Sequence, residues 1–388
     1  MGILQKIARP VGTQISASPD IFRIDASPGA GLACFAAKGL SRSEVVLTVQ
    51  QPVAGVVINR FKKEVCAWCY SYNFGSIHKF KVEIAKGRGV AWFCQISCKD
   101  SWTDNVGEMG WEAIRAFEEG LGRKGTQSTM CTDPDTPCNV EQIESLWQAA
   151  SEEGGRILAQ RLARPRFVPK TAMLPADVDI DDARFILSAC ITFSMSEEAT
   201  HEVLNLAPTL TLYTKSMNTV RSHISIYHYI LSVLPVTSPV LSFVSPANIL
   251  SVMTRDTGNS WGIWDKSLAG EELLAYCLYP PASFFNHSCA PNISKERIGR
   301  AYEFRTCDNL AFGSELSVSY LGKAESEMNW QRRQEKLLVS PIYSVCYVWL
   351  SHCLSRMAGV LYAPARGVWQ RRRINIFNKL KTEYTSDT

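Results

Sequence analysis

Segments with a period of two stand at both ends of the chain, and segments with the helical period of 3.6 fill its middle. Near the start, residues 32–37, 44–49 and 53–59 are rich in β-branched side chains and punctuated by Gly and Pro, which predicts strands. SPGAG at 27–31 predicts a turn. Near the end, 302–306 and 315–320 alternate polar and apolar residues as half-buried strands do. Between them, 111–121, 181–193, 197–206 and 223–233 read as helices. Another begins at Asn139, where Gln142 three residues on completes a capping-box pattern. Val140, Ile143, Leu146, Trp147 and Ala150 then share one apolar stripe. The stretches 122–138 and 164–176 read as loops, and 1–20, without a clear period, as a loose start. There is no internal repeat. A sheet divided between both ends of a chain requires the helical middle to be an insertion, so the expectation is one discontinuous α+β domain.

Composition narrows the class. With 46% hydrophobic and 20% charged residues, a mainly disordered chain is excluded. No apolar run reaches the roughly 20 residues of a membrane span. The nearest, 342–362, is broken by His352 and Arg356. The opening MGILQKIARPVGTQ has no signal-peptide block, so the expected setting is the nucleus and/or cytoplasm, without a membrane partner. Net charge is +4, but residues 339–388 alone carry +5 (seven Arg and Lys against two Asp and Glu), leaving the rest at −1. No direct nucleic-acid partner is expected from such a body.

Thirteen Cys, an odd number, argue for thiols and metal ligands rather than a disulfide framework. Cys66-x2-Cys69 and Cys94-x3-Cys98 are two close pairs joined by 24 residues. Zinc takes four soft ligands in a tetrahedron, and one pair from each of two turns supplies them. The rival reading is buried, unligated thiols. Cys131 and Cys138, flanking TDPDTP, read as an accidental loop pair, and Cys34, Cys190, Cys277 and Cys307 as packing residues.

The most specific string is LYPPASFFNHSCAPN, 278–292. In it the chain resembles the SET-domain protein methyltransferases, specifically the SET-and-MYND branch and its fungal relatives. YEFRTCDNLAFGSELSVSYLG (302–322) resembles the family's strand, turn and catalytic-tyrosine segment. Asn259-Ser260-Trp261-Gly262-Ile263 resembles its Asn-Ser-Phe segment, SPGAGLACFAAKGL (27–40) its Gly-x-Gly-Leu turn, and KEVCAWC with FCQISC an inserted zinc module. The matches are collinear. The resemblance implies a SET-domain β-fold with a knot-like crossing, where the NHSC segment threads beside the N-terminal strands. It also implies S-adenosylmethionine as methyl donor. Carried over residue by residue, Ala30, Gly31 and Leu32 would offer backbone groups to the donor, Asn259 and Asn286 would bond its polar end, and the His287 backbone would hold its adenine. Tyr320 would be the catalytic tyrosine, whose rival reading is an aromatic strand residue. A Cys289–His287 nucleophilic hydrolase finds no accompanying oxyanion motif.

The implied activity is S-adenosylmethionine-dependent N-methylation of a protein lysine, histone or non-histone, by a chain expected to be a monomer. The alternative is a catalytically inactive SET/zinc scaffold for protein–protein contact. The expected division is 1–21 a loose start, 22–62 the first part of the SET domain, and 63–105 a MYND-like zinc insert. The helical insertion follows at 106–250, the SET core at 251–322 and a C-terminal tail at 323–388. Three departures stand out. The second pair of MYND cysteines and the closing His-x3-Cys are missing, with only His78 between Cys69 and Cys94 as a substitute, so one Zn2+ site at Cys66, Cys69, Cys94 and Cys98 is expected. Ser43 stands where the family has Gly. After a helix expected at 325–338, the usual Cys-x-Cys-x2-Cys cluster is absent, and Cys346 and Cys353 have the wrong spacing. Val339-Ser340 is what a common splice-donor string encodes in frame. Residues 339–388 therefore read either as a divergent tail or as translated intron, which transcript sequencing decides.

Overall fold

A computed structural model describes residues 2–8, 20–28, 31–86, 88–121, 135–164, 166–265, 272–321, 328–329 and 331–333. The tail expectations for 339–388, most of the helix expected at 325–338, and Ala30 and Cys131 lie outside the described residues.

Strands from the two ends of the chain share sheets. From the N-terminal part come β1 (Phe22–Ser27), β2 (Gly31–Ala36), β3 (Val45–Val49) and β4 (Ala54–Val57). A hairpin follows, β5 (Phe80–Ala85) and β6 (Arg88–Phe93). The C-terminal part gives β7 (Ser260–Trp264), β8 (Leu273–Leu278), β9 (Asn286–His287), β10 (Ile293–Ile298), β11 (Ala301–Thr306) and β12 (Glu315–Val318). They assemble as β1-β2-β12-β9, β10-β11-β3 and β4-β8-β7. Every one of these three sheets joins strands from both sides of the helical insertion, so the expected discontinuous α+β domain is what forms.

The insertion contains most of the helices. A short α1 (Ile3–Lys6) precedes it. Then come α2 (Ile96–Leu121), α3 (Val140–Ala163), α4 (Ile180–Met195), α5 (Glu197–Asn205), α6 (Thr211–Lys215), α7 (Met217–Val233) and α8 (Pro246–Asn259). The capping box at Asn139 is present: its side chain accepts from Gln142 N–H while Gln142 Oε1 accepts from Asn139 N–H. Ser196, Ser216 and Ser245 cap α5, α7 and α8 in the same way, each satisfying an otherwise orphaned N–H.

Three features differ from the sequence expectation. α2 begins at Ile96 rather than near 111, with a kink between two helical pieces at Gly107, whose φ is +63°. α8 runs across the boundary expected at 250 between the helical insertion and the SET core. The chain start is not wholly loose: Ile3 and Ile7 are buried, and the Ile3 and Leu4 N–H groups donate to the Glu144 carboxylate on α3. An acidic side chain from a distant helix thus caps this turn, which no local pattern announces.

Arg255 fixes α8. It is fully buried, and its guanidinium donates to the carbonyls of Leu206 (3.0 Å), Ser251 (3.3 Å), Ile7 (2.8 Å) and Leu204 (2.9 Å). Burial pushes its pKa down to about 10, so it stays charged at neutral pH and is neutralised by carbonyl dipoles.

Candidate active site and metal centre

The residues at 286–292 pass beside β12, which lies between β2 and β9. β12 runs antiparallel to β2, with Leu316 opposite Cys34, and parallel to β9, with Val318 opposite His287. Backbone and amide bonds fasten this crossing. Ser288 N–H donates to Val318 O at 2.8 Å. Asn292 Nδ2 donates to Glu315 O, and its Oδ1 accepts from Ser317 N–H, both at 2.8 Å. An asparagine does both because it carries a donor and an acceptor on one planar group.

Five of the expected residues converge here: Gly31, Leu32, Asn286, His287 and Tyr320. Asn286 Nδ2 donates to Leu32 O at 3.3 Å. Tyr320 N–H donates to His287 Nδ1 at 2.9 Å, and the two rings lie 5.4 Å apart. Tyr320 O–H donates to Phe285 O at 3.0 Å. Gly31, at the head of β2, has φ +76°, and a Cβ there would meet nothing within 4 Å. A side chain would be strained at that φ, while the backbone stays open to an approaching ligand. Asn259 sits at the last turn of α8, its Nδ2 bonded to Arg255 O at 2.8 Å. It reaches the crossing indirectly: Ser283 Oγ, three residues before Asn286, donates toward Asn259 O at 3.1 Å.

The electrostatics suit a neutral site. Burial pushes His287 down to about 4, and the charges of Lys295 and Arg333 add to this. A neutral ring accepting at Nδ1 carries its proton on Nε2, which faces Cys289 Sγ at 3.3 Å. Burial raises Cys289 above its ordinary value. This is the opposite of the thiolate–imidazolium couple that a nucleophilic cysteine needs. The sequence reading passed over Glu315, Asn292, Ser283 and Phe285 as site-builders. Glu315 Oε2 accepts from Ser27 Oγ at 3.3 Å and so ties β1 to β12. In sequence it is only the polar position of an alternating strand.

The four predicted ligands Cys66, Cys69, Cys94 and Cys98 form one cluster whose sulfurs all lie within 4.8 Å of one another. Cys69 and Cys94 are 3.5 Å apart, and Cys94 and Cys98 3.6 Å. Sulfurs around a tetrahedral zinc, each about 2.3 Å from the ion, stand roughly 3.8 Å apart, so the set fits that ion. Cys66 is held down at about 5, first by a hydrogen bond from Cys69 and then by backbone N–H groups. Cys94 is pushed up to about 12, chiefly by burial. Without a cation the four sulfurs cannot ionise together. His78 takes no part: it is buried and its Nε2 bonds Ser71 O at 3.1 Å. Cys34, Cys190 and Cys277 are buried packing residues, while Cys307 is half-buried. Cys138 donates its S–H to Tyr213 O.

A cavity of about 220 Å³ lies apart from the crossing, between β4, the β5–β6 hairpin, α2 and α4. No described helix is long and apolar enough to cross a membrane.

Comparison with known proteins supplies the context. Residues 31–321 match the SET domain family. A Saccharomyces cerevisiae protein described as "Potential protein lysine methyltransferase SET6" is 22% identical over 339 residues, 78% of this chain and 87% of that protein. A SET and MYND domain-containing protein of Dictyostelium discoideum is 30% identical over 87 residues, 22% of this chain and 21% of that one. A solved structure described as the SET domain of LSMT bound to lysine and AdoHcy aligns at 10% identity and a TM-score of 0.24, covering 80% of this chain and 51% of that one, a likeness too slight to carry an argument.

Proposed function

The chain belongs to the SET domain family, and from that premise we propose that it is an S-adenosylmethionine-dependent protein-lysine N-methyltransferase of the SET-and-MYND branch, fungal in type. One observation carries the reading: the Tyr320 N–H to His287 Nδ1 bond at 2.9 Å ties the catalytic-tyrosine segment to the motif whose Asn286 already reaches the glycine turn. Segments from the two ends of the chain thereby meet at one crossing.

The donor would suit that crossing, since Gly31 leaves an open backbone edge beside an amide and a neutral imidazole. Gly31, Leu32, Asn259 and Asn286 would hold its polar groups and the His287 backbone its adenine, with Ala30 the adjoining turn residue. When bound, S-adenosylmethionine supplies an electrophilic methyl group on a sulfonium. The chain's own part is alignment and desolvation. A free lysine amine has a pKa near ~10.4 and must lose a proton before it can attack. Desolvation beside half-buried Trp261 and Tyr320 would disfavour its ammonium form. The Tyr320 hydroxyl, held by Phe285 O, would orient the amine, and neighbouring carbonyls would favour the methyl hydrogens through CH···O contacts. Holding both reactants in line supplies most of the acceleration. Cys66, Cys69, Cys94 and Cys98 would hold one structural zinc. The partner is a protein or peptide presenting lysine, as the yeast relative's description supports.

Calorimetric titration with S-adenosylmethionine, followed by methyl transfer to a lysine peptide array, tests this. Donor binding with transfer is the expected result. A folded chain that holds zinc yet binds no donor makes the scaffold alternative correct.

A further inference from the structure

The cavity of about 220 Å³ beside β4 lies where three parts of the chain meet: the N-terminal strands, the β5–β6 hairpin and the helical insertion. Its walls carry apolar side chains, Val56 on β4, Val90 on β6, Trp102 and Ile114 on α2, and Leu187 and Ile191 on α4. The hairpin meets α2 at Gly89, whose φ is +55° and where a Cβ would stand 2.8 Å from Glu118 Cβ. An apolar cavity of roughly 150 Å³ is enough to take up benzene, so this one has room for a short hydrocarbon chain.

The charges on the lining do not balance. Three groups are cations, Lys62, Arg184 and Arg300, and one is an anion, Glu118. Arg184 and Glu118 cancel each other. The guanidinium donates through Nε to Glu118 Oε1 at 2.9 Å and through Nη2 to Oε2 at 3.1 Å, while its Nη1 donates to Asn59 Oδ1 at 2.8 Å. Lys62 and Arg300 have no carboxylate at ion-pair distance among the described residues. Burial, and then the charge of Arg184, lowers the Lys62 pKa.

Arg300 is the more telling of the two. Its Cζ lies 4.4 Å from the centroid of the Trp68 ring. Nη1 reaches Trp68 O at 3.5 Å and the Tyr70 hydroxyl at 3.4 Å, both long for hydrogen bonds. Nε is shut away from solvent and makes no hydrogen bond among the described residues. Stacking on Trp68 fixes the plane of the guanidinium but gives Nε no acceptor. A buried donor without an acceptor is costly, and a charged one more so.

We propose that this cavity is a binding site for a small anionic amphiphile, a carboxylate on a short aliphatic chain. The chain lies among the apolar side chains, and the carboxylate accepts from Arg300 and is attracted by Lys62. Sign and lining together select this chemistry. A neutral guest leaves Arg300 Nε unmet, and an ammonium faces two uncompensated cations. The site lies apart from the crossing, so it does not rest on the methyltransferase reading.

Isothermal titration of the full chain at fixed ionic strength with octanoate, octan-1-ol and octylammonium tests it. Octanoate should saturate one site per chain, and octanol should bind more weakly by roughly tenfold or more, the worth of a hydrogen bond to a charged group. Octylammonium should show no saturable binding. Either of these bound as tightly as octanoate, or octanoate uptake that never saturates, overturns the proposal. Variants then locate the site. Val90→Trp fills the cavity from the half-buried hairpin and should abolish octanoate uptake. Lys62→Met and Arg300→Gln should each weaken it about tenfold. Uptake unchanged in Val90→Trp puts the ligand elsewhere and overturns the proposal, as does a folded Arg300→Gln chain that binds as before. Should Arg300→Gln fail to fold, Lys62→Met decides on the same terms.

Discussion

The crossing and the cysteine cluster are built in opposite ways. The cluster draws its four ligands from 33 consecutive positions, Cys66 to Cys98, which share a small apolar cluster with Ala91 and Phe93 of the β5–β6 hairpin. The crossing draws on residues as far apart as Leu32 and Asn286, 254 positions, and is fastened by backbone and amide bonds needing no ion. The first is local in sequence and, on the reading proposed above, would gain its hold from a metal ion. The second is remote in sequence and preorganised by the protein alone. Tolerance to metal loss should differ accordingly.

Chelation gives the largest effect. Structural zinc is worth on the order of 10 kcal/mol to a small module near neutral pH. Stripping it with a strong chelator should expose the amides of 66–98 to hydrogen exchange while those of Ser288 and Leu316 stay protected. Equal loss of protection in both regions breaks the contrast.

Replacing Arg255 by Met comes next. Four carbonyls lose their shared donor, which should cost about 3–5 kcal/mol and lower Tm. The effect belongs to the crossing's side, because α8 carries Asn259. Zinc content should not change.

Acid should act on the crossing through His287, which is 2% exposed. Its folded pKa is lowered to about 4 from the ordinary 6.5. The unfolded chain therefore takes up the proton first. The stability that the neutral ring contributes is fully present above pH 6.5 and is lost as pH falls towards 4, by roughly 3 kcal/mol at most. Urea midpoints at pH 7 and pH 5 measure this, and His287→Gln should flatten the dependence.

The same contrast explains what could be read from the sequence. The cysteine spacing of 66, 69, 94 and 98 is a local distance, so the cluster was legible, as were the Asn139 cap and the strands at 302–306 and 315–320. At the crossing, the strings around 30, 286 and 320 were legible as separate motifs, but their contacts depend on sheet order, which no string encodes. Asn292 looks like a turn residue until its amide is seen bridging Glu315 and Ser317. The Gly107 break hid the first half of α2, because a glycine among acidic and polar residues reads as a loop.

The proposed role of the Tyr320 hydroxyl is to act on the reacting amine rather than on the fold. Tyr320→Phe removes that one oxygen and keeps the ring against His287. Calorimetric donor affinity and methyl transfer to a responsive lysine peptide should be measured side by side. Donor binding should be unchanged and turnover reduced on the order of 10²-fold or more. Undiminished turnover in the variant would contradict it.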